Sequence, residues 1–276
     1  MEAFVRETLE EARKVGNPRA VALCHNALGS VLHLRGRWLE AARSLKASVE
    51  LCQSFDGTLG LVLGEQRLAQ IESAVGLFEV ADRRLQDALA AARASDSNMV
   101  RAHSLGRLYA TLALNSYEWG ELAAATRYMR RGMAVQREVG ECAGCDVLLY
   151  PAAVPISIAR GALDEADEAC RRAERIASAF RSRSWVATAR YLAGMLAGAH
   201  GDWRSAAALS EEAVEMFDEL GHPYDLARAL EQLAQVHAHL HGKAPEELVA
   251  RTAALYRDVG ASFRAERVES LLTGTA

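Results

Sequence analysis

The chain has 276 residues, half of them hydrophobic and a quarter charged, with a formal net charge of −4 and a pI near 6.1. That balance supports a folded core but supplies no field for phosphate backbones, and no run of five or six basic residues occurs, so direct nucleic-acid binding is not expected. No stretch approaches the ~20 apolar residues that span a bilayer, the N-terminal MEAFVRETLEEARK lacks the apolar centre of a signal peptide, and the cysteines are odd in number; a cytoplasmic chain with reduced thiols is expected, with no membrane contact.

Residues 2–15 predict an amphipathic helix closed by Gly16, with Arg6, Glu10 and Lys14 on its outer face. A second helix is predicted from Arg19 to Leu34, a turn at Arg35-Gly36-Arg37, and a third helix from Trp38 to about Ser54. This helix–turn–helix pattern then recurs. Its turn glycines are Gly36, Gly76, Gly120, Gly161, Gly201 and Gly242, at intervals of 40, 44, 41, 40 and 41 residues. Two residues after the first five stands Trp38, Phe78, Leu122, Leu163 or Trp203, and three further on stands Ala41, Ala81, Ala125, Ala166 or Ala206. The glycine takes the left-handed conformation that ends a helix at little cost, and the alanine marks a close helix crossing. A fixed period of this length means stacked two-helix units, an α-α solenoid.

Further helix ends are signalled by Gly140, Gly221 and Gly260. In the sixth unit Ala244-Pro245-Glu246-Glu247 replaces the usual start of the second helix, with Pro245 expected at the first helical position, and that unit reads as degenerate. The predicted organisation is one domain over 1–276: a leading second helix or cap at 1–16, six repeats over 19–260, and a C-terminal capping helix at 261–272 that covers the last repeat with Phe263, Val268 and Leu271 or Leu272. A solenoid that begins in mid-repeat exposes an apolar face unless something covers it, so the chain is expected to be part of a longer protein, unless its first helix is a natural cap.

The turn glycine, the bulky residue two later and the alanine three beyond, with Ala27-Leu28-Gly29 in the first helix, resemble the tetratricopeptide-repeat signature stretched from 34 residues to about 40. The high alanine content and endings such as Leu255-Tyr256-Arg257-Asp258-Val259-Gly260 are similar to the tetratricopeptide-like arrays of MalT and LuxR-type bacterial regulators. In those proteins a nucleotide-binding switch precedes the array and a helix-turn-helix follows it; neither is present here, and Gly242-Lys243-Ala244 lacks the phosphate-cradling loop. The resemblance implies the sensor or scaffold part alone.

It also implies that the first helix of each pair, helix A, lines the concave face. That register predicts a binding face made of Asn26, Ser30 and His33, then Gln66, Gln70 and Ser73, Arg107 and Tyr117, Tyr191 and Met195, and Gln232 and His239. This lining reads as neutral and polar with scattered aromatics; a Lys, Arg and Asn cluster that would clamp a peptide carboxylate is missing from it. Cys142-Ala143-Gly144-Cys145 can supply two thiolates to a metal or act as a dithiol, but no second pair completes a four-ligand zinc site, so small residues in an irregular linker are expected. Pro151 and Pro155 predict that the fourth helix A is kinked or starts late, which points to Tyr150–Ser157 as a place where a pocket opens. His237 and His241 share a helical face but have no third ligand beside them, and Trp38 and Trp203 are expected in the core, Trp119 and Trp185 partly exposed.

No G-x-S-x-G, H-E-x-x-H or dinucleotide loop occurs, and carboxylates such as Glu211, Glu212 and Glu215 fall on predicted solvent faces. The expected function is a non-catalytic scaffold for a protein or peptide, without cofactor, in a bacterial transcriptional or signalling regulator. The alternative is a small-molecule effector sensor with a pocket near the fourth repeat.

Overall fold

Each repeat turns where its glycine meets a helix end. All six turn glycines have φ between 70° and 87°, a region closed to most residues with a Cβ. At the first turn the Gly36 N–H donates to the His33 carbonyl and the Arg37 N–H to that of Leu32, and the Trp38 indole N–H donates to the His33 carbonyl at 3.1 Å. The orphaned carbonyls at the end of one helix are thereby satisfied by the start of the next.

The computed structural model describes residues 1–140 and 142–272, with the Val139 side chain outside that description. Its helices, in chain order, are α1 (Glu2–Val15), α2 (Pro18–Leu34), α3 (Trp38–Ser54), α4 (Thr58–Ala74), α5 (Phe78–Arg93), α6 (Asn98–Glu118), α7 (Leu122–Val139), α8 (Ala143–Ala159), α9 (Leu163–Phe180), α10 (Arg183–Ala199), α11 (Trp203–Leu220), α12 (Pro223–His241), α13 (Glu246–Val259) and α14 (Ser262–Glu269), then a short 3-10 turn at Ser270–Leu272. Among the described residues there is no strand. The even-numbered helices from α2 to α12 are the A helices. The fold is that of a tetratricopeptide-like helical repeat.

The chain divides into two compact units, Met1–Cys145 and Asp146–Ala276. In the first, each helix from α1 to α6 packs on its successor, and the A helix α4 also touches α2 and α6. Val62, Leu85, Leu89, Leu108 and Leu112 form its core. In the second, α9 to α14 follow the same order, around Phe217, Leu226 and Leu230.

Within each pair, helices A and B cross at two positions twelve residues apart in sequence. Ala41, Ala81, Ala125, Ala166 and Ala206 are all fully buried, and twelve residues before them stand Gly29, Ala69, Ala113, Val154 and Gly194. A Cβ on Gly29 would sit 2.5 Å from Leu45 Cγ and 3.2 Å from the Ala41 carbonyl oxygen; on Gly194 it would sit 2.5 Å from Gln232 Nε2 and 3.5 Å from the Ala206 oxygen. Small residues on both sides let backbone approach backbone.

Several local expectations are corrected. The second helix begins at Pro18, one residue early, because Asn17 caps it by accepting from the N–H groups of Arg19 and Ala20. Pro245 is the residue before α13, not its first residue. The fourth helix A does not start late: α8 begins at Ala143 and runs through both prolines. At the C-terminus the capping helix stops at Glu269, Leu272 is 47% exposed, and the buried position beside Val268 belongs to Arg264 instead of Phe263.

Arg264 is accommodated because it faces a buried carboxylate. The Tyr256 hydroxyl donates to Glu231 Oε2 at 2.5 Å, the Arg267 guanidinium donates twice to Oε1 at 2.6 and 3.0 Å, and Arg264 Nη1 lies 3.6 Å from Oε2. Burial, followed by the Glu231 charge, pushes the Tyr256 pKa well above its ordinary value, so the phenol keeps the proton it donates.

Two outcomes follow for chemical denaturation. Ala206→Leu should overpack the α10–α11 crossing and cost ~1–3 kcal/mol, whereas Glu211→Leu on the exposed face should cost under about 0.5 kcal/mol; equal costs would mean that Ala206 is not at a crossing. Glu231→Ala leaves Arg264 buried without its carboxylate and should cost about 3–5 kcal/mol, against about 0–1 kcal/mol for Arg267→Ala, whose side chain is half exposed.

Candidate functional site

The A helices of the first unit bring two of the expected lining residues, Gln66 and Arg107, together, while Asn26 lies against Gly64. The Arg107 Nε–H of α6 donates to Gln66 Oε1 of α4 at 3.1 Å, and Asn26 Nδ2 of α2 lies 3.8 Å from where a Cβ on Gly64 would stand. Gln66 is 1% exposed and Arg107 is 9% exposed, so this polar seam is enclosed between touching A helices. Ser30, His33, Gln70 and Tyr117 are partly buried; Ser30 Oγ donates to the Asn26 carbonyl, and the His33 ring stacks with Trp38.

In the second unit the expected residues are dispersed. Gln232 is buried and donates to Ser210 Oγ at 3.1 Å, so it is interior to its repeat. Tyr191 lies 5.0 Å beneath the Arg228 guanidinium, Met195 is partly buried, and His239 is exposed with its ring stacked 4.0 Å from Trp203. Trp203 is therefore only partly buried, unlike Trp38. His237 and His241 stack on one another at 5.5 Å, Trp119 is 45% exposed against Phe78, and Trp185 meets Phe180 edge-on.

The expected pocket at Tyr150–Ser157 is not open. Tyr150, Ala152, Ala153, Val154, Ile156 and Ser157 are all buried, and beside Pro151 is a cavity of about 30 Å³, room for roughly one water. The first unit holds a far larger groove, about 720 Å³, where the N-terminal turns of α2, α4 and α6 meet the C-terminal turns of α3 and α5. Leu23 and Leu59 are its exposed apolar walls, and Asn26 lines it as well.

Arg67, on α4 beside Gln66, was absent from the expected lining and changes its character. Burial, then the positive charge of Arg107, pushes its pKa down to about 10. Burial lowers that of Arg107 as well, partly offset by Cys145 and Cys142. Among the described residues neither arginine pairs with a carboxylate, and the enclosed Arg67 Nε, Asn26 Nδ2 and Ser104 Oγ have no hydrogen-bond partner. The lining is thus cationic in the first unit, not neutral. The sequence signal was weak, since an arginine at one helical position reads as solvated until a neighbouring repeat closes over it.

The C-x-x-C pair is likewise not in an irregular linker. Cys142 immediately precedes α8 and Cys145 lies in its first turn. His103 Nδ1, from α6, is 3.2 Å from each sulfur, and the sulfurs are 3.3 Å apart. Burial, then Arg107, lowers the His103 pKa and favours the neutral ring. The Arg107 guanidinium also donates to the Gly144 carbonyl, and a Cβ on Gly144 would stand 3.0 Å from His103 Cε1. Glycine at that position lets the imidazole and the helix start approach. No disulfide joins the described cysteines, and no helix among the described residues is long and apolar enough to cross a membrane.

Comparison with known proteins gives the following. The profile of the MalT-like TPR region matches residues 17–270. A Rap protein crystallised in complex with competence and sporulation factor is 17% identical, with 100% of this chain aligned to 71% of that one and a TM-score of 0.68. A signal transduction ATPase with numerous domains, carrying a tetratricopeptide repeat sensor and coming from Pyrococcus horikoshii, is 16% identical; 97% of this chain aligns to 41% of it, with a TM-score of 0.57. At such identities the likeness is one of fold. A search of the curated proteins finds no match.

The asymmetry between the two arginines is testable. Arg67→Met removes an enclosed charge that has no counter-ion and should raise the unfolding free energy by roughly 1 kcal/mol. Arg107→Met orphans Gln66 Oε1 and removes a second donor from the Gly144 carbonyl, and should lower it by ~1–3 kcal/mol. Denaturant midpoints that move in the same direction would mean that Arg67 is not held at a cost.

Proposed function

We propose, from the premise that this chain belongs to the family of MalT-like TPR regions, that it is a non-catalytic scaffold whose A-helix face binds a protein or peptide carrying a carboxylate. The observation that carries this reading is the pair Arg67 and Arg107, guanidiniums on adjacent A helices, the first partly buried with its Nε enclosed and the second buried, with no acidic partner among the described residues. Such an arrangement costs stability by itself, and an anionic ligand repays that cost by supplying the missing charge and hydrogen-bond acceptors. Arginine suits the task because its planar fork meets a carboxylate with two parallel N–H groups. Asn26, with an unused amide donor, lines the apolar groove of the same unit, which offers a seat for the side chains of an extended segment.

The scaffold is further proposed to be the sensor or interaction portion of a bacterial transcriptional or signalling regulator. The Rap structure holds competence and sporulation factor, and the Pyrococcus horikoshii protein is a signal transduction ATPase with a tetratricopeptide repeat sensor; these similar folds support the reading. A nucleotide-binding switch or a helix-turn-helix encoded in the same reading frame is the expected context. A second reading has its own observation: the 720 Å³ groove is of the size that holds a small molecule, so an effector is the alternative occupant there, in place of the Pro151 region.

Fluorescence polarisation with a library of short peptides, each made with a free and an amidated C-terminus, tests the first reading. Free-acid or acidic peptides should bind preferentially, weaken with added salt, and lose at least about tenfold in affinity in Arg67→Gln and in Arg107→Gln. Binding that is indifferent to peptide charge and to both variants would remove the arginine pair from the function. Thermal-shift screening against metabolites separates the second reading, since a ligand at 100 times its Kd should add ~2.7 kcal/mol in the unchanged protein and little when Leu23 is replaced by Glu.

A further inference from the structure

We propose that His103, Cys142 and Cys145 form a binding site for a thiophilic divalent cation of the zinc class, which clasps the start of α8 to α6. The three side chains converge from two helices, with all their ligand atoms within 4.8 Å of one another, and they are the one such group among the described residues. Two thiols and an imidazole are the donor set that favours zinc over hard cations, which take oxygen. The spacing agrees. Tetrahedral bonds of ~2.3 Å to sulfur and ~2.0 Å to nitrogen place two sulfurs about 3.8 Å apart and a sulfur and nitrogen about 3.5 Å apart. The observed 3.3 Å and 3.2 Å need to open by about half an ångström or less. A disulfide at ~2.05 Å would instead require the sulfurs to close by more than an ångström.

Local structure supports the convergence. Placing a C-x-x-C pair at the first turn of α8 turns both sulfurs to one side, and the Cys145 N–H donates to the Cys142 carbonyl at 2.8 Å to close that turn. Two glycines make the room: Gly144 beneath the imidazole, and Gly106 of α6, whose added Cβ would touch Cys145 Cβ and Sγ at 3.4 Å. The charge balance also permits a cation beside Arg107. As two metal–sulfur bonds form, two thiol protons leave to water, so a divalent ion enters with no net change of charge at the cluster. The neutral imidazole supplies the third bond through Nδ1, and water takes the fourth position. Because Arg107 donates to the Gly144 carbonyl inside the clasp, the bound ion also holds one of the two face arginines in place. The inference stands on the cysteines and His103, independently of what the arginines bind.

The test uses the full chain, purified metal-free under reductant and titrated with cobalt(II). One equivalent should produce thiolate-to-cobalt charge-transfer absorption and the d–d bands of a tetrahedral site, and zinc should bleach both. Cys142→Ser and Cys145→Ser should abolish the bands, His103→Ala should weaken binding at least about tenfold, and Cys24→Ser should leave it unchanged. A second measurement avoids dependence on variant folding: in the unaltered protein, one equivalent of zinc should protect Cys142 and Cys145, but not Cys24, from alkylation as read by mass spectrometry. Absent bands, bands that persist in Cys142→Ser, unprotected thiols, or a Cys142–Cys145 disulfide recovered under reductant would each overturn the proposal.

Discussion

The close crossing of helix A on helix B is the contact on which the rest of the structure depends. At Gly29 and Ala41, and again at Gly194 and Ala206, the absence of bulk lets one helix rest almost on the backbone of the other. That proximity sets the pair angle, the pair angle sets how the next A helix meets the last, and the contact of α4 with α6 encloses the polar seam. Since interiors are packed to crystal-like density, there is little slack at such a point. The turn glycine seven residues after Gly29 serves the same geometry by reversing the chain without a loop long enough to relax it.

Buried charge is handled in two different ways in this chain. Near the C-terminus, Glu231 is surrounded by Tyr256, Arg264 and Arg267, and its oxygens are all engaged. On α5, Arg84 is likewise held between Glu65 and Glu72, which raise its pKa. In both, the buried charge meets an opposite charge within the chain. Arg67 and Arg107 form an open network, in which like charges share a low-dielectric seam and donors are left over. A protein tolerates such an arrangement when something outside it completes the set. The contrast between paired and open networks locates the candidate face more sharply than any list of polar residues.

Some of that face was legible from residue order. Register with the tetratricopeptide repeat placed Asn26, Gln66 and Arg107 on A helices, and the last two are hydrogen-bonded to each other. Arg67 was not legible, because one residue along a helix rotates the side chain by about 100° and its burial depends on α6. Tyr150 and Gln232 erred in the other direction: both are polar residues on A helices, yet both are buried within their repeats. The proline pair misled through a local rule. Each proline does forfeit a helical hydrogen bond, but α8 continues through both and buries its apolar residues instead of opening a pocket. The cysteines needed a partner 39 residues away before they read as a ligand set, a distance that spacing alone does not bridge.

The amino-acid order by itself determined the periodic features: which residues turn the chain, where most of the helices lie, and which alanines lie at crossings. Those follow from local backbone chemistry, since φ at a glycine and the volume at an alanine are properties of single positions. Only the tertiary structure decided which charges are enclosed, that His103 meets Cys142 and Cys145, and that the roomy groove lies at the ends of α2 to α6 and not at Pro151. Those depend on the angle at which one repeat is laid on the next, and that angle is a sum over many small contacts that no single residue encodes.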